Sequence, residues 1–126
     1  RRLKRLEKPC MSASRPPRDK RAYLWDILDA ANSISSLTAD KTINNYLAER
    51  PLRSAVEREF EIIGEALNQL EKQLPEARTK ITDFAKIVSF RNRLMHGYFA
   101  IDHEVVWGAV ELFLPTLVKE VQELLE

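Results

Sequence analysis

At 126 residues the chain suits one domain with one core, and 44% apolar against 31% charged residues is a globular profile that excludes wholesale disorder. Only three glycines, in a background of Leu, Ala, Glu, Lys and Arg, favour helices throughout. A net charge of +1 argues neither for nor against nucleic acid, no apolar run approaches the ~20 residues that span a bilayer, and no secretory signal is visible, which leaves the cytoplasm as the default location.

Charge is unevenly spread. Residues 1–22 carry nine Lys or Arg against two acids, a net +7 that leaves the remainder at −6. Residues 1–18 are therefore expected to form a solvated, disordered basic tail, followed by one folded domain over 19–126. Cys10 is the lone cysteine, so neither an internal disulfide nor cysteine metal-ligand spacing is available. Met11 is the first methionine, which points to residues 1–10 as vector-derived or upstream of the natural start.

Asp19 follows Pro16 and Pro17 and suits the start of a helix over about 19–37, whose apolar face is Tyr23, Ile27, Ala30, Ala31, Ile34 and Leu37. A short helix is expected through Asn45, Tyr46 and Leu47. Pro51 fits the first turn of a long helix over 51–74, with Leu52, Val56, Phe60, Ile63, Leu67, Leu70 and Leu74 at three-or-four spacing. Gly64, inside that helix, costs about 1 kcal/mol relative to Ala, and close approach of another helix backbone is the expected compensation. Pro75 ends the helix, and a connector leads to Thr82 and Asp83. A helix over 83–96 buries Phe84, Ile87, Val88 and Leu94, and Gly97 can end it in the left-handed conformation. Asp102 is placed to cap the last helix, 103–126, with Ile101 and Val106 spaced as a hydrophobic staple. Pro115 should bend that helix or break it in two. The sum is an all-α, antiparallel four-helix up-down bundle with one short additional helix.

Chemistry concentrates in residues 91–98, Arg-Asn-Arg-Leu-Met-His-Gly-Tyr. Arginine binds phosphate with a planar, permanently charged fork. Histidine exchanges a proton near neutral pH, and one of the chain's two histidines lies here. On one helix Arg91 and His96 are about 140° apart after a full turn, so they do not share a face. Asn92 and His96 are four apart and do, so Asn92 is expected to hydrogen-bond and orient the imidazole. From Arg78 to Arg93 five basic residues face one acid, Asp83, a local +4 that suits an anion. A helix cap with solvated charges is the plain alternative. His103 reads as a surface residue opening the last helix; Trp25, Tyr46 and Trp107 read as packing aromatics. Glu61 and Glu65 are four apart, but with no histidine on their helix a metal site is not expected, and none is assigned; Glu65 is instead a candidate partner for an active-site arginine.

Several separated blocks carry a family resemblance. Arg91-x4-His96-x-Tyr98 resembles the R-x4-H-x-Y motif of HepT-like proteins in the HEPN superfamily. Phe60 to Ala66 resembles the family's EIIGEA helix; Ser89 to Tyr98, with Ile101-Asp102 and Val106-Trp107, resembles its second signature. Ser89 departs from the glycine found in many members. The likeness spans about residues 20–126. It implies a HEPN-like bundle that forms a homodimer with the motifs facing each other, and a metal-independent endoribonuclease toxin that needs no cofactor and acts on RNA, tRNA or mRNA, in a type VII-like toxin–antitoxin system. Arg91, His96 and Asn92 would be catalytic, Arg93 and Tyr98 would contact RNA, and Glu65 would support the arginine. The implied partner is an MntA-type nucleotidyltransferase antitoxin that adds AMP to Tyr98. The expected reaction has His96 remove the 2′-OH proton and Arg91 stabilise the phosphorane, leaving a 2′,3′-cyclic phosphate. The rival reading is a non-catalytic helical subunit that holds substrate or nucleotide for a nucleotidyltransferase.

Overall fold

A computed structural model describes residues 18–97 and 100–126. The proposed tail, with Cys10 and Met11, lies outside the described residues except for Arg18, and so does Tyr98. Six helices make up the described part, with no strand among the described residues: α1 Lys20–Thr38, α2 Ile43–Ala48, α3 Arg50–Gln73, α4 Ala77–Lys80, α5 Phe84–His96 and α6 His103–Leu125. The fold is the expected all-α bundle, with α1, α3, α5 and α6 as its long helices and two short helices rather than one.

The periodic apolar residues face one core. Ile27, Ala31, Ile34, Val56, Ile63, Leu67, Leu70 and Val121 have no exposed surface. Each large aliphatic or aromatic side chain so buried contributes about 1.5–3 kcal/mol. Phe60 of α3 and Phe90 of α5 meet edge to face with centroids 5.1 Å apart.

Polar groups set the boundaries. Asp19 Oδ1 accepts from the Ala22 N–H at 3.0 Å and starts α1. Arg18 belongs with the helix it precedes, because its guanidinium pairs with Asp26 and its carbonyl accepts from Gln73. A capping box starts α2: the Asn45 N–H donates to Thr42 Oγ1 at 3.1 Å and the Thr42 N–H donates to Asn45 Oδ1 at 2.9 Å. That turn directs Tyr46 wholly into the core.

The connector after Pro75 contains α4, too short to display a helical period. Its Ala77 is buried, and Arg78 is bound by Glu71 through Nε at 2.7 Å and Nη2 at 3.1 Å, while lying 4.8 Å over the Phe84 ring. Its hydrogen bond holds the Glu71 carboxyl below the usual carboxylate range. Arg78 is therefore already paired, as is Arg91 with Glu65, two of the five basic residues expected to form a positive patch.

Asp83 makes no side-chain cap for α5. Glu120 of α6 reaches across instead, accepting from the Thr82 N–H at 2.9 Å and the Thr82 hydroxyl at 2.6 Å. Gly97 is not left-handed: its φ is −122°, and its N–H continues the helical pattern by donating to the Arg93 carbonyl at 2.8 Å. Asp102 caps α6 as expected, with Oδ1 accepting from Glu104 N at 3.0 Å and Val105 N at 3.4 Å. Asp102→Ala should lower stability by about 1 kcal/mol, read from the urea midpoint. Pro115 does not break α6, which runs unbroken past it with the proline itself exposed.

In space α5 packs on α3, α3 on α1, and α1 on α6. The α5 and α6 helices stand apart along most of their length, and a groove runs between them from the His96 end toward Leu112 and Phe113.

Candidate active site

The last turns of α5 present Arg91, Asn92, Arg93 and His96, and α3 determines where the first of these points. Gly64 is buried where α3 crosses α5. A Cβ on Gly64 would lie 2.3 Å from Arg91 Cβ, 2.5 Å from Cγ and 3.3 Å from Cδ. The close approach expected at Gly64 is thus made by the stem of Arg91 rather than by backbone. Only glycine leaves the arginine room to lie flat on α3 at this point.

The guanidinium is then held at both ends. Nη2 donates to Glu65 Oε1 at 3.0 Å, and Nη1 donates to Asn92 Oδ1 at 2.9 Å. Gln69 Nε2 donates to the other Glu65 oxygen at 3.1 Å and orients the carboxylate. The Arg91 side chain is 18% exposed and Glu65 is 50% exposed, so the pair sits at the surface with the arginine stem recessed. Arg91 Nε is buried without a hydrogen-bond partner among the described residues. A long stem fixed by packing and a fork fixed by two acceptors give Arg91 one orientation, which suits a residue that must meet phosphate with correct geometry.

Asn92 accordingly holds Arg91, not His96. The expectation that it orients the imidazole is not met: its carbonyl oxygen accepts from Arg91, and its amide makes no hydrogen bond to His96. His96 is exposed and makes no hydrogen bond or ion pair with a described residue. It lines the α5/α6 groove together with Asn92 and Arg93, whereas Arg91 does not line it. Arg93 is exposed and has no hydrogen bond or ion pair to a described residue. The divergence of Arg91 and His96 inferred from helical spacing is therefore present: arginine lies against α3 and histidine faces the α6 side. Among the described residues no group of three His, Cys, Asp or Glu side chains is placed to hold a metal ion.

A second polar cluster is built from α2, α3 and α6, and His103 belongs to it. Contrary to the expectation of a surface position, the histidine is half-buried. Its Nδ1 lies 3.7 Å from Glu57 Oε2, and its ring meets Tyr46 edge-on with centroids 6.5 Å apart. Tyr46 also contacts Trp107 at 5.4 Å, and its buried hydroxyl has no hydrogen-bond partner among the described residues. Burial pushes the Tyr46 phenol up, with Glu57 adding to the effect and Arg53 opposing it. Burial also raises Glu57, more than nearby His103 and Arg53 lower it; Glu61 adds slightly. Only long-range packing of α2, α3 and α6 assembles this cluster, so no local pattern announces it.

A raised carboxyl binds its proton more tightly in the folded state. Its stabilising contribution is complete below the ordinary value of 4.5 and is lost as pH rises through the folded value. Glu57→Gln removes that loss. Thermal midpoints of variant and parent, compared from pH 4 to pH 7, should shift in the variant's favour as pH rises; a difference independent of pH contradicts the burial argument.

Comparison with known proteins bears on what this constellation does. The family model for HepT-like proteins, described as ribonuclease HepT-like, matches residues 27–124. A Methanocaldococcus jannaschii protein named "Putative RNase MJ1380" is 36% identical over 105 residues, covering 83% of this chain and 95% of its own length. "Putative RNase MJ0127" from the same organism is 32% identical over 111 residues, or 88% of this chain and 91% of the relative. "Probable ribonuclease HepT" of Thermococcus cleftensis is 30% identical over 100 residues, or 79% of this chain and 90% of the relative. No solved structure gives a significant match. No helix among the described residues is long and apolar enough to cross a membrane. The family model covers α1 from Ile27 through most of α6, including Gly64, Glu65 and the Arg91–His96 turn, and the chain belongs to the HepT-like family.

Proposed function

We propose that the protein is a metal-independent endoribonuclease, the toxin of a type VII-like toxin–antitoxin pair, and that it cuts tRNA or mRNA at a site assembled from two copies of the chain. The observation that carries this reading is the held Arg91. Gly64, Glu65 and Asn92 fix a guanidinium fork five residues from an exposed histidine that bonds no described residue.

His96 removes the proton from a ribose 2′-OH, and the 2′-oxygen forms a bond to the adjacent phosphorus. Arg91 neutralises the charge gathering on the phosphorane oxygens. The bond from phosphorus to the 5′-oxygen then breaks. An imidazolium, from this chain or from the partner subunit's His96, supplies the proton that the leaving oxygen takes up. The products are a 2′,3′-cyclic phosphate and a 5′-hydroxyl. Asn92 and Glu65 position Arg91, and Arg93 holds flanking phosphate.

Because Arg91 and His96 face different ways, a homodimer is the economical means of bringing them to one phosphate. The face of α6 supports such a contact. Val105 is 45% and Leu112 is 72% exposed, and nothing lies within 4 Å of a Cβ built on Gly108 between them. A helix-interior glycine costs about 1 kcal/mol, and no described residue approaches closely enough to offset it. A second helix packed there would.

Tyr98 follows the histidine by two residues and is the proposed acceptor of AMP from an MntA-type nucleotidyltransferase antitoxin. The added phosphate and nucleoside would oppose RNA by both charge and bulk. The test is to express the parent, Arg91→Ala and His96→Ala with and without a neighbouring nucleotidyltransferase and to follow growth and tRNA integrity. Toxicity and cleavage by the parent alone, lost in each variant and suppressed by the partner, support the reading. Intact RNA at a fully expressed parent dose favours the non-catalytic binding subunit.

A further inference from the structure

The groove between α5 and α6 contains more than the motif requires. Beside His96 it opens into a cavity of about 470 Å³, within the ~300–1,000 Å³ usual for small-ligand sites. Its walls are apolar, from Phe90 and Leu94 of α5 and from Ile101, Val105 and Val106 across the groove. Its rim is polar, with Asn92, Arg93, His96 and Asp102. Besides His96 and the Asn92 amide nitrogen, two further rim groups have unused hydrogen-bonding capacity. Arg93 is without a partner among the described residues, and Asp102 caps α6 through Oδ1 alone, which leaves Oδ2 as an acceptor.

We infer that this cavity is a nucleobase subsite, taking the unpaired base of the nucleotide whose 2′-OH attacks. The inference rests on the ribonuclease reading above and deepens it. A nucleotide that offers its 2′-OH to His96 has its base within one sugar's reach of the same imidazole. A flat aromatic ring with apolar faces and a hydrogen-bonding edge matches walls of Phe, Leu, Ile and Val beneath a rim carrying a guanidinium and a carboxylate. Unpaired bases in RNA are recognised in this manner, by apolar or aromatic contact with the ring and by hydrogen bonds to its edge. The subsite also supplies what the catalytic groups lack, a means of choosing where along a strand to cut.

The experiment uses the wild-type chain and a single-stranded RNA that it cleaves, mapped to one junction. An abasic ribonucleotide replaces, in turn, the nucleotide on the 5′ side of that junction and one two positions away. Losing the 5′-side base should lower kcat/KM by about tenfold or more, and losing the distant base should leave it unchanged. Ala100→Phe, at an exposed position on the cavity lip, should slow the parent RNA by a similar factor without further slowing the abasic one, bringing their ratio near one. Equal cleavage of parent and 5′-abasic RNA by the wild type overturns the subsite while leaving the nuclease reading intact. Failure to cleave any RNA overturns the nuclease reading itself, and the subsite with it.

Discussion

Gly64→Ala should lower RNA cleavage by about 10²-fold while leaving a folded helical protein, because a displacement near 1 Å is enough to cost that much at a reacting centre. The new methyl would sit 2.3 Å from Arg91 Cβ, where ordinary contact begins at 3.4 Å. A Cβ is fixed to its own backbone and cannot rotate aside, so α5 must withdraw from α3 by roughly 1 Å and carry Arg91 away from Glu65. Overpacking of this kind costs about 1–3 kcal/mol, which a urea midpoint will register. Circular dichroism checks the helix content, and cleavage rates check the site. Glu65→Gln serves as the milder companion: it keeps the stem seated on Gly64 and weakens only the ionic hold on the fork. Its loss of activity should be smaller than that of Gly64→Ala. Wild-type stability and wild-type cleavage in Gly64→Ala would show that Arg91 is not seated as described.

This seat was half legible in the sequence. A glycine within the apolar stripe of α3 announced that something must come close, and Glu65 was a candidate partner for an arginine. That the visitor is Arg91 depends on how α3 and α5 cross, which no pattern within either helix encodes. Asn92 is the instructive failure. The i,i+4 rule correctly puts it on the same face as His96, yet its carbonyl bonds its immediate neighbour. Helix neighbours one apart do not normally face each other; Arg91 is long enough to turn back once Gly64 and Glu65 have drawn it against α3. The long helices were legible because each buries a continuous stripe, and Asp19 and Asp102 mark helix starts through local bonds to backbone N–H groups. The start of α5 also lies within one residue of the expected position, but its tie was not legible, because it is Glu120, 38 residues away from Thr82. One turn of α4 is too short to show any period, and the burial of His103 against Tyr46 and Glu57 is a tertiary event.

His96→Ala should reduce cleavage by about 10²–10⁴-fold, the usual contribution of a general base, with little change in stability. The side chain is exposed and bonded to no described residue, so removing it breaks no packing and leaves no polar group stranded. This separates it from Gly64→Ala, where activity and stability fall together. Products of the parent enzyme should carry 2′,3′-cyclic phosphate ends, and cleavage should persist in excess chelator. Undiminished cleavage by His96→Ala would remove the histidine from the reaction.

The central claim is that Arg91 and His96 act on one phosphate from different copies of the chain. Co-expressing Arg91→Ala and His96→Ala under separate tags, purifying the mixed dimer and assaying RNA cleavage tests it most directly. Each variant alone has lost one of the two groups at every site. In the mixed dimer one site combines the intact Arg91 of one chain with the intact His96 of the other, so cleavage should return to a large fraction of the wild-type rate. A mixed dimer that forms but stays as inactive as its two parents would contradict the composite site.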